Sequence, residues 1–508
     1  PIFTLIGANA LDRLGIWVRT GDVTGDGIAD LIVGADQEDL DGETNRGAAY
    51  LVRGGPHLVD GVADLSSLGT ADFTLTGHLA RITPPSGAAG YHFGATCQIA
   101  DLDGNGRGEI LAAAALFRGG AGLPAAGAPP DSAEDIGGSE RGTVYIVWDD
   151  AIPTGAWPTE FTLDASSPSN LRSVLHGASS NLYFGEELLG GRDYDNDGQA
   201  DLFVGDLTGD GSVEGDQDLA GLGWVFWNAA SLKGRTLDLT SPPDDLRLTA
   251  ILGPQPGALG SDTSAHGDFD GDGVDDLVIA SPHASPAGRE SAGSAHVLFG
   301  KEGGWPEVID TRQGRLPSTD AVRITEIYGA AGTSGSDLGD TLGYSAAAAD
   351  IDGDGRTDLL INEMVGNGLV PGTIDVGNLV LISGSALADA TTPPVPAGAC
   401  SDSAGVLCVG DQRFQLEVTW KDFDSRTGIG RVAEKAADSG LFWFFSESNW
   451  ELLVKVLDGC SFNDHFWVFS AATTNVEYTL KVTDTRTGAV RQYVNNLGVS
   501  APAVTDTE

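Results

Sequence analysis

Basic residues are scarce in this sequence, and their scarcity restricts what the chain can bind. Lysine and arginine account for 28 of 508 residues, against 73 aspartates and glutamates, which gives a formal net charge of −45. Nucleic acid is excluded as a partner, because phosphate backbones select basic surfaces. Without a run of about 18 apolar residues, no transmembrane segment is expected. Helical periodicity is nearly absent, whereas 72 glycines indicate a folded, turn-rich chain.

Cysteine is also scarce, and its spacing argues against zinc or redox motifs. The four cysteines are Cys97, Cys400, Cys408 and Cys460, and none forms a Cys-x-x-Cys pair. Cys400 and Cys408 could close a short disulfide loop, which leaves Cys97 and Cys460 either free or paired with each other. The chain begins at Pro1 rather than at Met. We therefore expect a processed, extracellular protein, either secreted or held at the cell surface.

One acidic nine-residue pattern recurs five times, with copies beginning 75 to 92 residues apart. Each copy carries side-chain oxygens at positions 1, 3, 5 and 9 and a glycine at position 6. Taking positions 1, 3, 5, 7 and 9, the candidate metal ligands are Asp22, Thr24, Asp26, Ile28 and Asp30 in the first loop; Asp101, Asp103, Asn105, Arg107 and Glu109 in the second; Asp193, Asp195, Asp197, Gln199 and Asp201 in the third; Asp268, Asp270, Asp272, Val274 and Asp276 in the fourth; and Asp350, Asp352, Asp354, Arg356 and Asp358 in the fifth.

This pattern predicts calcium sites, because calcium takes about six to eight oxygen ligands from carboxylates, amides and carbonyls. Position 7 would offer only its backbone carbonyl, which explains why its side chain varies. Magnesium is less suitable, since it prefers an octahedron with retained waters. No helices flank the loops, which separates them from EF-hands. The alternative is that they are solvated acidic turns, but five copies in phase favour about five Ca²⁺ sites. A sixth candidate, Asp206–Glu214, is either a further site or a solvated acidic loop.

Short apolar runs repeat in phase with the loops and predict β-strands. The first run comes directly after each loop, as at Leu31–Val33, and a second run comes after the first, as at Ala49–Val52. A third run precedes the next loop, as at Phe73–Leu75. Units of about four strands must stack around an axis to bury both faces. We therefore predict an all-β fold, a β-propeller of about five four-stranded blades, near residues 1–70, 71–158, 159–240, 241–315 and 316–390.

These residues resemble the FG-GAP repeat, the blade unit of integrin α-subunit propellers and of many bacterial surface proteins. The Phe-Gly of that repeat stands at Phe93-Gly94 and Phe184-Gly185, and is altered to Leu-Gly at Leu14-Gly15, Leu259-Gly260 and Leu342-Gly343. The resemblance covers about residues 1–390 and implies a calcium-binding propeller with a role in binding or adhesion. Integrin heads have seven blades, whereas the spacing here leaves room for five, or six if an end segment contributes.

The remaining residues have a different pattern. Residues 391–398 are proline-rich and predict an extended linker. Residues 399–508 contain strand-like runs at 414–420, 441–445, 451–456, 465–469 and 478–482, which predict a small β-sandwich or, as the alternative, a small barrel. Most of its aromatic residues are expected in the core. The consecutive residues Phe442 to Phe445 cannot all point inward from one strand, so part of this cluster is expected at an interface.

No catalytic motif accompanies the loops: both Gly-x-Ser-x-Gly and His-Glu-x-x-His are missing. The favoured hypothesis is a non-catalytic adhesion or binding protein that recognises a protein or carbohydrate ligand at the cell surface. A second is a subunit of an extracellular filament or coat, which would bind copies of itself. A third is a secreted enzyme that cleaves glycans or lipids, because some lyases and phospholipases carry propellers of this type.

Overall fold

The structure is a computed structural model that describes residues 2–58, 61–86, 90–115, 142–164, 172–178, 183–207, 221–255, 263–312, 316–319, 321–333, 336–368, 375–389, 400, 404–410, 413–459, 466–485 and 490–507. The chain divides into two compact units. One comprises Pro1–Pro286 and Glu290–Asp389, and the other comprises Ala287–Arg289 and Ala390–Glu508. Within the described residues, no helix is long and apolar enough to cross a membrane.

The larger unit is built almost entirely of short strands. In chain order, the described strands are β1 (Phe3–Ile6), β2 (Val18–Gly21), β3 (Asp30–Ala35), β4 (Ala48–Val52), β5 (Gly61–Asp64), β6 (Leu79–Thr83), β7 (Thr96–Ala100), β8 (Glu109–Ala114), β9 (Thr143–Val147), β10 (Glu160–Thr162), β11 (Arg172–His176), β12 (Phe184–Arg192), β13 (Asp201–Asp206), β14 (Leu222–Phe226), β15 (Thr236–Asp238), β16 (Leu248–Leu252), β17 (Thr263–Gly267), β18 (Asp276–Ser281), β19 (Ser294–Leu298), β20 (Val308–Asp310), β21 (Ile324–Tyr328), β22 (Leu342–Ala349), β23 (Asp358–Glu363) and β24 (Asn378–Ile382). The helix α1 (Gly384–Asp389) follows β24, and short 3₁₀ turns lie at Leu65–Ser67, Asp149–Ala151, Ala229–Leu232 and Pro286–Gly288.

These strands form five successive antiparallel sheets. The first sheet is β2-β3-β4-β6, the second β7-β8-β9-β11, the third β12-β13-β14-β16, the fourth β17-β18-β19-β21 and the fifth β22-β23-β24. A parallel strand extends each of the first three sheets at its outer edge, namely β10, β15 and β20. Strands β1 and β5 form a separate parallel pair. The predicted all-β propeller architecture is confirmed.

Stacking of the sheets explains why their inner strands are almost wholly apolar. Strands β4, β9, β14 and β19 are buried at every position, because each of their sheets has a packed layer on both faces. Separate apolar cores fill the spaces between the first and second, second and third, third and fourth, and fourth and fifth sheets. The first strands of successive sheets contact one another. On the fifth sheet, Leu379 and Leu381 of β24 remain exposed.

The strand pairing differs from the sequence-based grouping in one respect. The prediction assigned the run before each loop to that loop's own blade, but β6 pairs with β4 and completes the preceding sheet. Phe73–Leu75, predicted as a strand, lies in turns, where Phe73 and Leu75 are buried. Their apolar character therefore reflects packing in the core rather than a strand. The blade limits at residues 70, 158, 240 and 315 stay a prediction.

The smaller unit has the sandwich architecture predicted for it. Its described strands are β25 (Val406–Val409), β26 (Phe414–Lys421), β27 (Thr427–Ile429), β28 (Arg431–Lys435), β29 (Ser439–Trp443), β30 (Leu452–Asp458), β31 (Phe466–Ala472), β32 (Glu477–Asp484), β33 (Val490–Asn495) and β34 (Val504–Asp506). One sheet has the order β25-β26-β32-β33, with β27 paired to β26, and the other the order β28-β29-β30-β31-β34. One apolar core contains residues of both sheets.

Two features of the smaller unit bear on the sequence predictions. Phe442 and Phe444 are buried whereas Phe445 is exposed, so the aromatic run does divide between the core and the surface. Cys400 and Cys408 form a disulfide bond. In the larger unit, Cys97 is a buried free thiol. Cys460, the linker 391–398 and the Leu259-Gly260 pair lie outside the described residues.

Candidate metal sites

Each of the five acidic loops connects the first strand of its sheet to the second. The first loop joins β2 to β3, and the other four join β7 to β8, β12 to β13, β17 to β18 and β22 to β23. Glycine is required at position 6, because all five glycines there have a φ between 80° and 90°, a conformation unfavourable for other residues. The loops therefore occupy equivalent places in five stacked sheets, as their spacing predicted.

Hydrogen bonds within each loop bend the backbone around its first carboxylate. In the fourth loop, the backbone N–H groups of Gly271 and Gly273 donate to the two oxygens of Asp268 at 2.7 and 2.9 Å. The N–H of Val274 donates to Asp272 at 2.9 Å. Equivalent bonds from position 6 to position 1 and from position 7 to position 5 recur in every loop. Positions 1 and 5 thus shape the turn as well as supplying oxygens.

The position 9 acid ties the loop to the sheet and is buried in all five copies. One of its oxygens accepts from the N–H of position 2, as between Phe269 and Asp276 at 2.8 Å. The other accepts from a residue beyond the third strand, as from Gly300 to Asp276 at 2.7 Å. The same pair of bonds holds Asp30, Glu109, Asp201 and Asp358.

Four of the five loops bring three carboxylates together, with one oxygen of each lying within 4.8 Å of the others. The clusters are Asp101, Asp103 and Glu109; Asp193, Asp195 and Asp197; Asp268, Asp270 and Asp276; and Asp350, Asp352 and Asp358. Asp201, Asp272 and Asp354 lie outside their clusters. The first loop, which has Thr24 at position 3, forms no such group within the described residues.

Burial and backbone contacts shift the pKa values of the acids at position 9. Burial, together with the neighbouring Asp103 and Asp149, raises the pKa of Glu109 to about 8. Burial likewise raises the pKa of Asp276 to about 8 and that of Asp201 to about 7. In the fifth loop, backbone N–H groups of Gly384 and Ile351 instead lower the pKa of Asp358. A bound cation would favour the ionised form of all these carboxylates.

A second feature of the loops was not predicted from the sequence. A basic side chain lies over an aromatic ring and contacts one carboxylate in each of the first four loops. The pairs are Arg53 with Asp26 over Trp157, Lys233 with Asp103 over Trp148, Arg247 with Asp195 over Trp227, and Arg323 with Asp270 over Phe299. In the described part of the chain, no basic side chain forms an ion pair with the fifth loop. We call these four residues the shelf cations.

The side chains at position 7 contribute no cluster member, in keeping with their variability. Arg107, for example, packs away from its own loop and donates to the carbonyl of Val23 in the first loop.

The backbone conformation at position 4 is a feature of the loops that the sequence did not lead us to predict. Gly25, Gly104, Asn196, Gly271 and Gly353 all have positive φ there, and the recurrence of glycine or asparagine was the available signal. Most of the sixth candidate, residues 208–214, lies outside the described residues.

Five successive sheets joined by these loops define a β-propeller, in which the FG-GAP repeat is found in three places. The profile of the FG-GAP repeat matches residues 14–52, 262–298 and 342–373, which contain the first, fourth and fifth loops. Integrin alpha-PS2 of Drosophila melanogaster is 27% identical over 223 residues, covering 41% of this chain and 12% of that protein. Phosphatidylinositol-glycan-specific phospholipase D of Mus musculus is 29% identical over 248 residues, which cover 46% of this chain and 26% of that protein. The chain thus spans about a quarter or less of the length of these relatives.

Proposed function

We propose that this protein is a calcium-stabilised, non-catalytic binding module that acts outside the cell. The observation that carries the proposal is the convergence of three carboxylates in four equivalent loops. Positions 1, 3, 5 and 9 would supply carboxylate, hydroxyl or amide oxygens to the ion, and position 7 its carbonyl. Oxygen ligands of this kind favour Ca²⁺ over softer metals. Calcium would neutralise clustered charge and hold adjacent strands in place.

The binding role draws support from the comparisons. One relative is named as an integrin alpha subunit, and FG-GAP repeats recur here without a recognised catalytic motif. The phospholipase D name belongs to relatives of which the chain covers 26% and 13%, so we do not carry that activity over. We propose neither a filament subunit nor a hydrolase, because no described contact or side-chain arrangement favours either one.

An extracellular location is part of the proposal. The Cys400–Cys408 disulfide supports this location, because disulfide bonds persist mainly in oxidising compartments. Extracellular modules that bind calcium do so with dissociation constants of about 10⁻⁴–10⁻³ M, and the loops of this chain would act in that setting.

Counting the bound ions tests the proposal. Equilibrium dialysis of the whole chain against calcium, read by atomic absorption, should give about five ions per chain. Asp268→Asn and Asp350→Asn should each remove about one ion, since position 1 is the carboxylate around which its loop folds. Asp245→Asn is the matched control, because Asp245 pairs with Arg235 away from the loops. Binding of no calcium, or equal stoichiometry in all variants, would refute the proposal.

A further inference from the structure

A cavity lies among the first strands of the propeller, apart from the metal loops. Its volume is about 360 Å³, and its walls come from the first, third, fourth and fifth sheets. The polar or aromatic side chains that line it are Trp17, Arg19, Glu187, Thr263, Ser264, Tyr344 and Ser345. No residue of the five acidic loops lines it. Its size is that of a small-molecule site, and its lining suits a hydrophilic ligand.

Arg19 is the cationic group of this cavity. Its guanidinium lies 4.7 Å from the ring centre of Trp17 and donates to the carbonyl of Val18 at 3.0 Å. Within the described part of the chain, Arg19 forms no ion pair. Most other described arginines of the propeller pair with acids, as Arg13 does with Asp36 at 3.2 Å. In a chain with 73 acids and 28 bases, an unpaired guanidinium in a cavity is available for an anionic ligand.

The one acidic side chain among the lining residues, Glu187, is hydrogen-bonded to a neighbouring lining residue. Glu187 is only 5% exposed, and it accepts a hydrogen bond from the Ser264 hydroxyl at 2.8 Å. The Tyr344 hydroxyl is hydrogen-bonded to His283. The Thr263 hydroxyl donates to the carbonyl of Tyr344 at 3.2 Å. Arg19, which is partly exposed, and Ser345, which is exposed, therefore remain as the charged group and the hydroxyl available to a ligand. One cation beside a hydroxyl favours a carboxylate, because guanidinium and carboxylate groups match in geometry and charge.

We propose that this cavity binds a small hydrophilic ligand that carries a carboxylate, such as a uronic acid, with Arg19 as its charge partner. The assignment gives the binding role proposed above a ligand class and rests on that role. It does not require calcium in the cavity. Calcium stoichiometry is measured separately, so failure of this site is distinguishable from failure of the metal sites.

The test compares two sugars that differ in the carboxylate. Saturation-transfer NMR and calorimetric titration of the whole calcium-loaded chain are carried out with D-galacturonate and D-galactose at millimolar concentration. Galacturonate should bind and galactose should not. Arg19→Gln should weaken galacturonate binding about tenfold or more, since a hydrogen-bonded charge is lost. Arg235→Gln, which breaks an ion pair outside the cavity, should bind galacturonate as the unaltered chain does.

A second variant keeps the test decisive if Arg19→Gln does not fold. Glu187→Gln removes the like charge from the wall and should bind galacturonate at least as tightly as the unaltered chain. Three results would overturn the proposal: equal binding of galactose, equal binding by the Arg19→Gln and Arg235→Gln variants, or no binding of galacturonate by a chain that binds calcium. Weaker galacturonate binding by Glu187→Gln would assign recognition to the glutamate instead and would also overturn it.

Discussion

The carboxylates of one loop differ in burial and in hydrogen bonding, and these differences determine what each contributes. Asp268 accepts three backbone N–H bonds from its own loop, whereas Asp276 is fully buried between two backbone donors. Asp270 differs from both, because it is paired with Arg323. The shelf cations thus supply part of the positive charge that the clustered carboxylates require. We expect them to hold the loops when calcium is scarce and to compete with calcium when it is present.

Removing one shelf cation tests this view. Arg247→Met leaves Asp195, which is only 2% exposed, without its 2.5 Å ion pair. In chelator, we expect the variant's propeller to lose about 1–3 kcal/mol of stability, the cost of an unsatisfied buried polar group. Added calcium should shrink this loss, because the ion would supply the missing charge. Urea unfolding followed by tryptophan fluorescence, with and without calcium, measures both quantities.

The matched control for that substitution is Arg235→Met, whose partner Asp245 is largely exposed. An exposed pair contributes little, so the control should cost less than about 1 kcal/mol in either condition. A loss in Arg247→Met that equals the control, or one that calcium leaves unchanged, would contradict a counter-ion role for the shelf cations.

Secondary-structure elements couple neighbouring loops through the backbone. The N–H of Thr357 in the fifth loop donates to the carbonyl of Asp268 in the fourth at 2.8 Å, and Gly108 donates to Asp22 across the first two sheets at 2.7 Å. Close approach at these points needs small residues. A Cβ atom added at Gly267 would lie 2.4 Å from the methyl carbon of Thr357. The end of β17 is therefore a tight contact between the fourth and fifth sheets.

Enlarging that contact should separate the fourth and fifth sheets. Gly267→Ala forces a clash with Thr357, and we expect a cost of about 1–3 kcal/mol, as for other overpacked contacts. Gly155→Ala is the control, because nothing lies within 4 Å of its added Cβ. Thermal unfolding by circular dichroism compares the two. Equal midpoints would show that the sheets do not pack closely at this place, and the pair Gly267→Ala with Thr357→Gly should recover most of the loss.

Local patterns predicted the elements well and their partners less well. The strands after each loop, the loop itself and the glycine at position 6 depend on neighbouring residues, so the sequence was sufficient to identify them. The pairing of β6 with β4 depends on tertiary packing, which neighbouring residues do not specify. Phe73 and Leu75 are buried although they lie in turns, so their apolar pattern is the same as that of a strand. The shelf cations could not be predicted either. Arg247 lies 52 residues from Asp195 and Arg323 lies 53 residues from Asp270, and no local signal connects them.

At the scale of the whole molecule, the two units should respond differently to calcium. The larger unit contains all five candidate loops, and its sheets carry clusters of carboxylates that repel one another when no cation is bound. The smaller unit has its own apolar core and a disulfide, and none of the loops lies in it. Calcium would therefore stabilise the propeller while leaving the sandwich unaffected, which provides an internal control in one chain.

Differential scanning calorimetry of the intact chain, in calcium and in excess chelator, tests the central claim most directly. A site held at about 100 times its dissociation constant stabilises a folded unit by about 2.7 kcal/mol, and several sites act together. The account predicts that chelator lowers the propeller transition by about 10 °C or more and leaves the sandwich transition in place. Two transitions that coincide in calcium and in chelator would contradict it.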